Sequence, residues 1–394
     1  MKSGWLKKTL GELLEKTETT NPLQKPEKEF DYIDVSSISN QSFRIEETQR
    51  LKGKDAPSRA RRLVKVNDII FATIRPTLQR IAIVPEELDH QVCSTGYFVL
   101  RPKPMLDHRF VFYSLFTEEF MGNMASLQKG ASYPAVTDAE VRAQTLSFPS
   151  LLEQHRIVAI LDEAFDGIAT ARANAEKNLQ NVRSLFESHL QAVFSQRGEG
   201  WKDKMLKEIT SHLGYGLHGT PKYTEDGEYY FVNGNNLDNG KIVFKESTKR
   251  VSVAEYEKHK KRLSDRTVLV SINGTLGNIA FYNDEKIILG KSACYFNLID
   301  GVNKHFIKYI ISSPYFLEYA HREATGATIK NVSLKSMREF KVPLPSLTEQ
   351  NEIVRKLDCL SKESLRLESI YQQKLAALDE LKKSLLRQAF SGQL

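Results

Sequence analysis

Phe148-Pro149-Ser150-Leu151-Leu152-Glu153-Gln154 opens a stretch that the chain writes twice, returning as Leu344-Pro345-Ser346-Leu347-Thr348-Glu349-Gln350. Ile157-Val158 and Leu161-Asp162 return as Ile353-Val354 and Leu357-Asp358, and the shift of 196 residues runs without a gap to Phe194-Ser195 and Phe390-Ser391. Trp5 and Trp201 obey it too, so the period is half the chain rather than a local echo. Each copy starts as a helix does. Ser150 and Ser346 are N-cap candidates, and Glu153 and Glu349, three residues on, complete the pattern of a capping box.

Apolar residues then recur at steps of four and three: Ile157, Leu161, Ala164, Ile168, Ala171 and Ala175, and after a slip Leu179, Val182, Phe186 and Val193. The second copy gives Ile353, Leu357, Leu360, Leu367 and Tyr371, then Leu375, Leu378, Leu381 and Leu385. A narrow seam with charge elsewhere is the pattern of a coiled coil, and matched rods of ~65 Å most simply pair with each other. The first helix is expected to end at Gly198 and the second at Gly392, the residue type that ends helices most readily.

Outside the rods, each copy reads as a compact α+β domain. In the first, an amphipathic turn (Leu6, Leu10, Leu13, Leu14) leads to a strand at Phe30–Val35, matched by Gly227–Val232 in the second. Asp68–Ile74 and Thr267–Ile272 are β-branched runs suited to a buried sheet. Each leads through a turn into another strand: Arg75-Pro76-Thr77-Leu78-Gln79-Arg80-Ile81-Ala82 against Asn273-Gly274-Thr275-Leu276-Gly277-Asn278-Ile279-Ala280. The Thr-Leu and Ile-Ala are shared while the polar residues differ, so one frame presents different side chains. Helices are expected around Phe110–Leu127 and Phe306–Glu323, followed by Gly130-Ala131-Ser132-Tyr133-Pro134 and Gly326-Ala327-Thr328-Ile329-Lys330. The organisation is therefore a first domain at 1–147, its helix at 148–198, a second domain at 199–343 and its helix at 344–394.

With a net charge of +7 and a sequence pI near 9.0, a polyanion is a plausible partner. The charge is concentrated at one place in both copies. Residues 44–65 hold eight basic residues against three acidic, and residues 241–262 hold the same. One such run is usually a solvated face; its recurrence in two diverged copies favours a shared anionic ligand. From these stretches Arg59, Arg61, Arg62, Lys65, Lys258, Lys260, Lys261 and Arg262 are candidate phosphate contacts. Arg75, Thr77, Arg80, Tyr133, Asn273, Thr275, Asn278 and Lys330, at the turns, are candidates to approach bases.

Catalytic apparatus is not legible. Gly290-Lys291-Ser292 lacks the leading glycine of a phosphate-binding loop, since Glu285 stands there. Gly214-Tyr215-Gly216-Leu217-His218-Gly219 has neither the preceding apolar strand nor the following helix of a nucleotide site. Asn21-Pro22-Leu23-Gln24 lacks the second proline and the aromatic of an amino-methylating site. Glu339-Phe340-Lys341, placed at the end of a strand, and Glu380-Leu381-Lys382 have acid-x-lysine spacing, but the other copy carries neither group. No histidine pattern suits a metal. Cys93, Cys294 and Cys359 read as reduced residues of a cytoplasmic protein, Met1–Trp5 has no apolar leader core, and no run approaches a membrane span.

Gly326-Ala327-Thr328 through Asn331-Val332-Ser333, then Val342–Gln350 with Ile353-Val354, and the ending Leu381–Leu394, resemble the specificity subunit of type I restriction-modification systems. The first copy is similar at Gly130–Ser132 and Phe148–Val158 and departs at Tyr133-Pro134-Ala135. The resemblance implies two tandem target-recognition domains separated by a long antiparallel two-helix coiled coil with pseudo-twofold symmetry. Each domain would read one half of an asymmetric bipartite site on double-stranded DNA, with the helices setting the spacer. It further implies no catalysis and no cofactor in this chain. Two modification subunits would bring S-adenosylmethionine, and restriction subunits ATP, Mg and DNA cleavage. The competing reading is a protein-binding adaptor with two homologous domains and solvated basic faces.

Overall fold

The computed structural model describes residues 4–394; Met1–Ser3, part of the stretch read for a leader, lie outside them. Two compact units result. One takes the chain through Ala175 together with Gln373–Leu394, and the other takes Glu176–Gln372. The helices read at 148–198 and 344–394 are therefore not a module of their own. Each is a single 45-residue helix, Leu151–Ser195 and Leu347–Ser391, and each contributes one end to either unit.

In the first unit the central strand Ile69–Ala72 lies between Ile81–Ile83 and Tyr97–Leu100, antiparallel to both. Its unbroken apolar run is explained by burial on two faces. Ile69 and Phe71 join a core with Phe98, Leu100 and the helix residues Phe110 and Val141, while Ile70 and Ala72 join another with Tyr97, Val99 and Ile33. Successive side chains of a strand point to opposite faces, so a strand buried on both sides has no polar positions to spare. Beside it is a four-stranded sheet in the order Gln49–Lys52, Glu29–Ile33, Val92–Ser94, Ala60–Leu63, whose middle pair is parallel.

The second unit repeats the scheme. Val268 and Val270 face a core with Phe296 and Leu298, and Leu269 faces another with Tyr295 and Leu289. The central sheet runs Thr210–Tyr215, Ala293–Leu298, Thr267–Ser271, Ile279–Phe281, and Tyr229–Val232 pairs in parallel with Ile287–Leu289. Each domain is closed by its ends: Leu6 stands opposite Phe148 and, 196 residues on, Lys202 opposite Leu344.

The repeated Glu-Gln then explains itself. Gln154 is fully buried; its amide donates to the carbonyls of Pro149 (3.0 Å) and Met105 (3.1 Å), and its Oε1 accepts from the Asp107 N–H (2.9 Å). Gln350 does the same with Pro345 (3.0 Å), Gly301 (3.2 Å) and Asn303 (2.9 Å). Asp107 and Asn303 are themselves N-caps of the domain helices His108–Ser114 and Lys304–Ile311. One side chain thus joins the start of a long helix to the start of a domain helix. A second tie follows, from Tyr113 to Asp162 and from Tyr309 to Asp358, each 2.5 Å.

Within each unit the two helix segments run antiparallel. In the first, Arg156 donates to the Leu394 carbonyl and Arg172 pairs with Asp379; in the second, Arg183 pairs with Glu368 and the Trp201 indole donates to Glu349. Helix ends enter the domain cores. Leu386 and Ala389 pack with Leu10 and Phe110 in the first unit, and Leu190 and Phe194 with Leu206 and Phe306 in the second.

Several local expectations are corrected. Leu6–Thr9 is a strand with Leu6 exposed, because it pairs with Thr145–Phe148, and only Leu10–Leu13 is helical. Each expected domain helix is two, broken before Glu118 and Pro314 by the N-caps Thr117 and Ser313. Glu349 turns to Trp201, although Ser346 does accept from the Glu349 N–H. The first long helix ends at Ser195, short of Gly198, whereas Gly392 (φ 74°) terminates the second in the left-handed region. Leu360, Leu367 and Leu381 face outward; the half-buried line passes instead through Ser361, Ser364, Glu368 and Tyr371 in the second unit and Leu375, Leu378, Lys382 and Leu385 in the first. The first Gly-x-Gly glycine lies on the strand Thr210–Tyr215, so a strand does lead into it. Glu339 ends a helix, Leu334–Glu339, rather than a strand.

Candidate nucleic-acid interface

The central strand of the first domain ends in a constrained turn. Arg75 (φ 50°) and Gln79 (φ 54°) adopt left-handed backbone on either side of the tight turn Pro76–Leu78. The Arg75 N–H donates to the Pro134 carbonyl (2.6 Å) and its Nη2 to the Ser132 carbonyl (3.1 Å), while its guanidinium lies 5.1 Å from the centre of the Tyr133 ring. Tyr133 is 72% exposed on a loop closed by two backbone hydrogen bonds between Lys129 and Ala135. Thr73 ties the same edge to Gly96, and Thr95 donates to the Arg59 carbonyl (2.8 Å). Arg59, Arg75, Thr77 and Tyr133 therefore gather at one end of the sheet, all exposed.

Other residues of the expected set are engaged internally. Arg80 donates to the carbonyls of Val35 (3.0 Å) and Ile38 (3.1 Å). Arg62, only 19% exposed, forms a two-pronged pair with Asp138, and Arg61 folds onto the Ala60 carbonyl. Lys65 pairs with Glu18 at the opposite end of the central strand, where Arg101 also binds Glu18 and the buried Asp68. Hydrogen bonds from Arg101 and Lys65 hold the Glu18 carboxyl down at about 2.

In the second domain the matching turn is held the same way. The Gly274 N–H donates to the Lys330 carbonyl (2.9 Å), and the Asn273 amide donates to Asn331 (3.1 Å). Thr275 and Lys330 are exposed, Asn273 and Asn278 half-buried. Behind the turn Ser292 donates to Asn233 (3.0 Å) and accepts from the Gly234 N–H (2.9 Å), bringing the exposed Lys291 to this edge. In the sequence Lys291 stands out only through its Gly-Lys-Ser setting, which lacks the rest of a phosphate loop. The glycine has a packing reason: a Cβ on Gly290 would lie 2.1 Å from the Asn233 Oδ1.

The basic cluster of this domain is elsewhere. Lys258 and Lys260 pair with Glu255 (3.5 Å) and Glu257 (2.6 Å) on and just after the helix Val253–His259. Lys261 is half-buried, and the exposed Arg262 accepts through its carbonyl from Asn297. Asn297 stands opposite Thr267, whereas Ala293 stands opposite Ser271 beside the turn that holds Asn273 and Thr275. Four residue steps separate these ends, about 14 Å. The structure does not bring Lys258, Lys260, Lys261 and Arg262 together with Asn273, Thr275 and Lys330.

No cluster of three or more metal-ligating side chains occurs among the described residues. No helix there is long and apolar enough to cross a membrane. Cys93 and Cys294 are buried, which pushes both thiols up to about 12.

The family model for the type I restriction modification DNA specificity domain matches residues 2–179 and again 198–377. The chain belongs to this family. It is 25% identical over 332 residues to the type I restriction enzyme EcoKI specificity subunit of Escherichia coli K12, covering 77% of this chain and 69% of that one. A solved chain described for complex assembly and conformational transition of the type I restriction-modification system is similar over 100% of this chain and 99% of its own, at 27% identity and a TM-score of 0.86. The HsdS subunit of Thermoanaerobacter tengcongensis is similar over 100% and 98%, at 28% identity and a TM-score of 0.68. Two DNA specificity domains in tandem favour recognition of DNA over the adaptor reading, and this is the specificity component of a type I restriction-modification system.

Proposed function

We propose that each unit reads one half of an asymmetric bipartite site through the exposed edge built by its central-strand turn and its Gly-Ala loop. The long helices would set the unread spacer. One observation carries this: both copies hold the turn to the loop by a backbone N–H to carbonyl bond, Arg75 to Pro134 and Gly274 to Lys330, while the side chains on that frame differ. A shared tie beneath unlike side chains suits reading of unlike half-sites.

Arg59, Arg75, Thr77 and Tyr133 in the first unit and Thr275, Lys291 and Lys330 in the second form the primary contact set. Lys258, Lys260, Lys261 and Arg262 have a secondary role in holding phosphate. The chain acts without catalysis of its own. Two modification subunits supply S-adenosylmethionine and methyl transfer, and restriction subunits supply ATP-driven cleavage with Mg, in the cytoplasm. The exposed Leu360, Leu365, Leu367 and Ile370 on one helix segment, and Leu185 on the other, give a modification subunit apolar surface to cover.

The test is co-expression with modification subunits, followed by sequencing of methylated sites. An asymmetric two-part motif is expected. Lys330→Ala should relax one half of it, and neutralising Lys260, Lys261 and Arg262 should weaken binding to every sequence and flatten its salt dependence. A complex that binds DNA without sequence preference would overturn the reading.

A further inference from the structure

The two reading turns solve one backbone problem differently. Gln79 and Gly277 occupy the same place, counted from the shared Thr-Leu and Ile-Ala on either side, and both have positive φ, 54° and 84°. Glycine adopts this conformation freely; a residue with a Cβ is strained in it by on the order of 1 kcal/mol or more. The second domain uses the unstrained residue, and the first carries glutamine. Arg75, at the other end of the turn, is left-handed as well.

The turn needs this backbone, which lets the Gln79 N–H close onto the Pro76 carbonyl, but it does not need a glutamine side chain. The half-buried Gln79 side chain makes no hydrogen bond among the described residues, in contrast to Arg80 beside it, whose guanidinium is spent on two carbonyls. Arg75 is different again: contacts to Ser132 and Tyr133 hold the guanidinium still, with Nε and Nη1 left over. A fixed guanidinium suits the O6 and N7 of guanine, and a glutamine amide suits the N7 and N6 of adenine in the major groove. Four residues of a tight turn at about 2.0 Å rise span ~8 Å, close to two base-pair steps of about 3.4 Å.

We propose that Gln79 is a specificity-determining residue of the first domain, reading an adenine about two base pairs from a guanine read by Arg75. This rests on the DNA-reading role proposed above. The test binds the full chain, wild-type and variant, to random-sequence duplexes and sequences the retained fraction, with a melting temperature for each protein. Gln79→Gly should melt at the same temperature or higher, because strain is removed, yet lose about tenfold discrimination at one adenine position of one half-site. Gln79→Glu, which can only accept, should move that position from adenine towards cytosine. Arg75→Ala should relax a guanine two steps away. An unchanged motif for Gln79→Gly, a loss spread over both half-sites, or a lowered melting temperature with the motif intact would each overturn the assignment while leaving the general reading in place. A wild-type chain that selects no motif would overturn both.

Discussion

The Lys382 ammonium sits 4.5 Å from the centre of the Phe43 ring, with Phe165 at 5.2 Å and Phe116 at 5.8 Å. The amine comes from the second long helix and the three rings from a domain loop, the first long helix and a domain helix connection. Phe43 itself is left-handed (φ 55°), an uncommon state for a bulky residue. Burial pushes the amine below the usual lysine range, with Asp379 acting the other way. The π faces offset part of the cost of a buried cation. Lys382→Met is expected to change stability by no more than about 1 kcal/mol, because it exchanges cation–π attraction for relief of desolvation. Lys382→Glu should cost about 3 kcal/mol, since ring faces repel an anion; urea unfolding measures both.

Removing either buried glutamine leaves a backbone N–H and two carbonyls without partners. Gln154→Ala and Gln350→Ala should each cost about 3 kcal/mol. Hydrogen exchange should place the loss locally, at residues 105–115 for the first and 301–311 for the second. Equal deprotection of both regions by one substitution would show that the ties are not local.

Acid should loosen the far end of the first domain. The Glu18 carboxyl is held low in the folded chain by Arg101 and Lys65, so the unfolded state binds a proton more readily. Its stabilisation is present above the ordinary value near 4.5 and is lost as pH falls through about 2. Glu18→Gln should therefore flatten the fall in stability over that window and have its full effect at neutral pH. An unchanged acid slope would remove Glu18 from the account.

Gly290→Ala should be disproportionately harmful for one added methyl. Its Cβ would meet the Asn233 Oδ1 at 2.1 Å, and Asn233 and Ser292 would have to part. A loss of about 2 kcal/mol is expected, with weakened DNA selection by the second domain only. Thermal melting and selection from random duplex report the two effects separately.

The internal repeat, the long helices and the strands buried on both faces were legible in the residues, because periodicity and apolar run length are local properties that the backbone must obey. So was the place of the turns after the central strands, where Thr-Leu and Ile-Ala persist around changing polar residues. Tertiary structure alone decided which charges are available. Arg62, Arg80 and Lys65 look no different in sequence from Arg59 and Arg75, yet Asp138, the Val35 and Ile38 carbonyls and Glu18 come to them from 76, 45, 42 and 47 residues away. It also decided that each long helix ends inside the core of the domain from the other half, and that Gln79 stands in a backbone state fit for glycine. Hydrogen bonds between residues far apart in sequence, and the φ of a residue other than glycine, depend on what the fold brings alongside rather than on a local pattern.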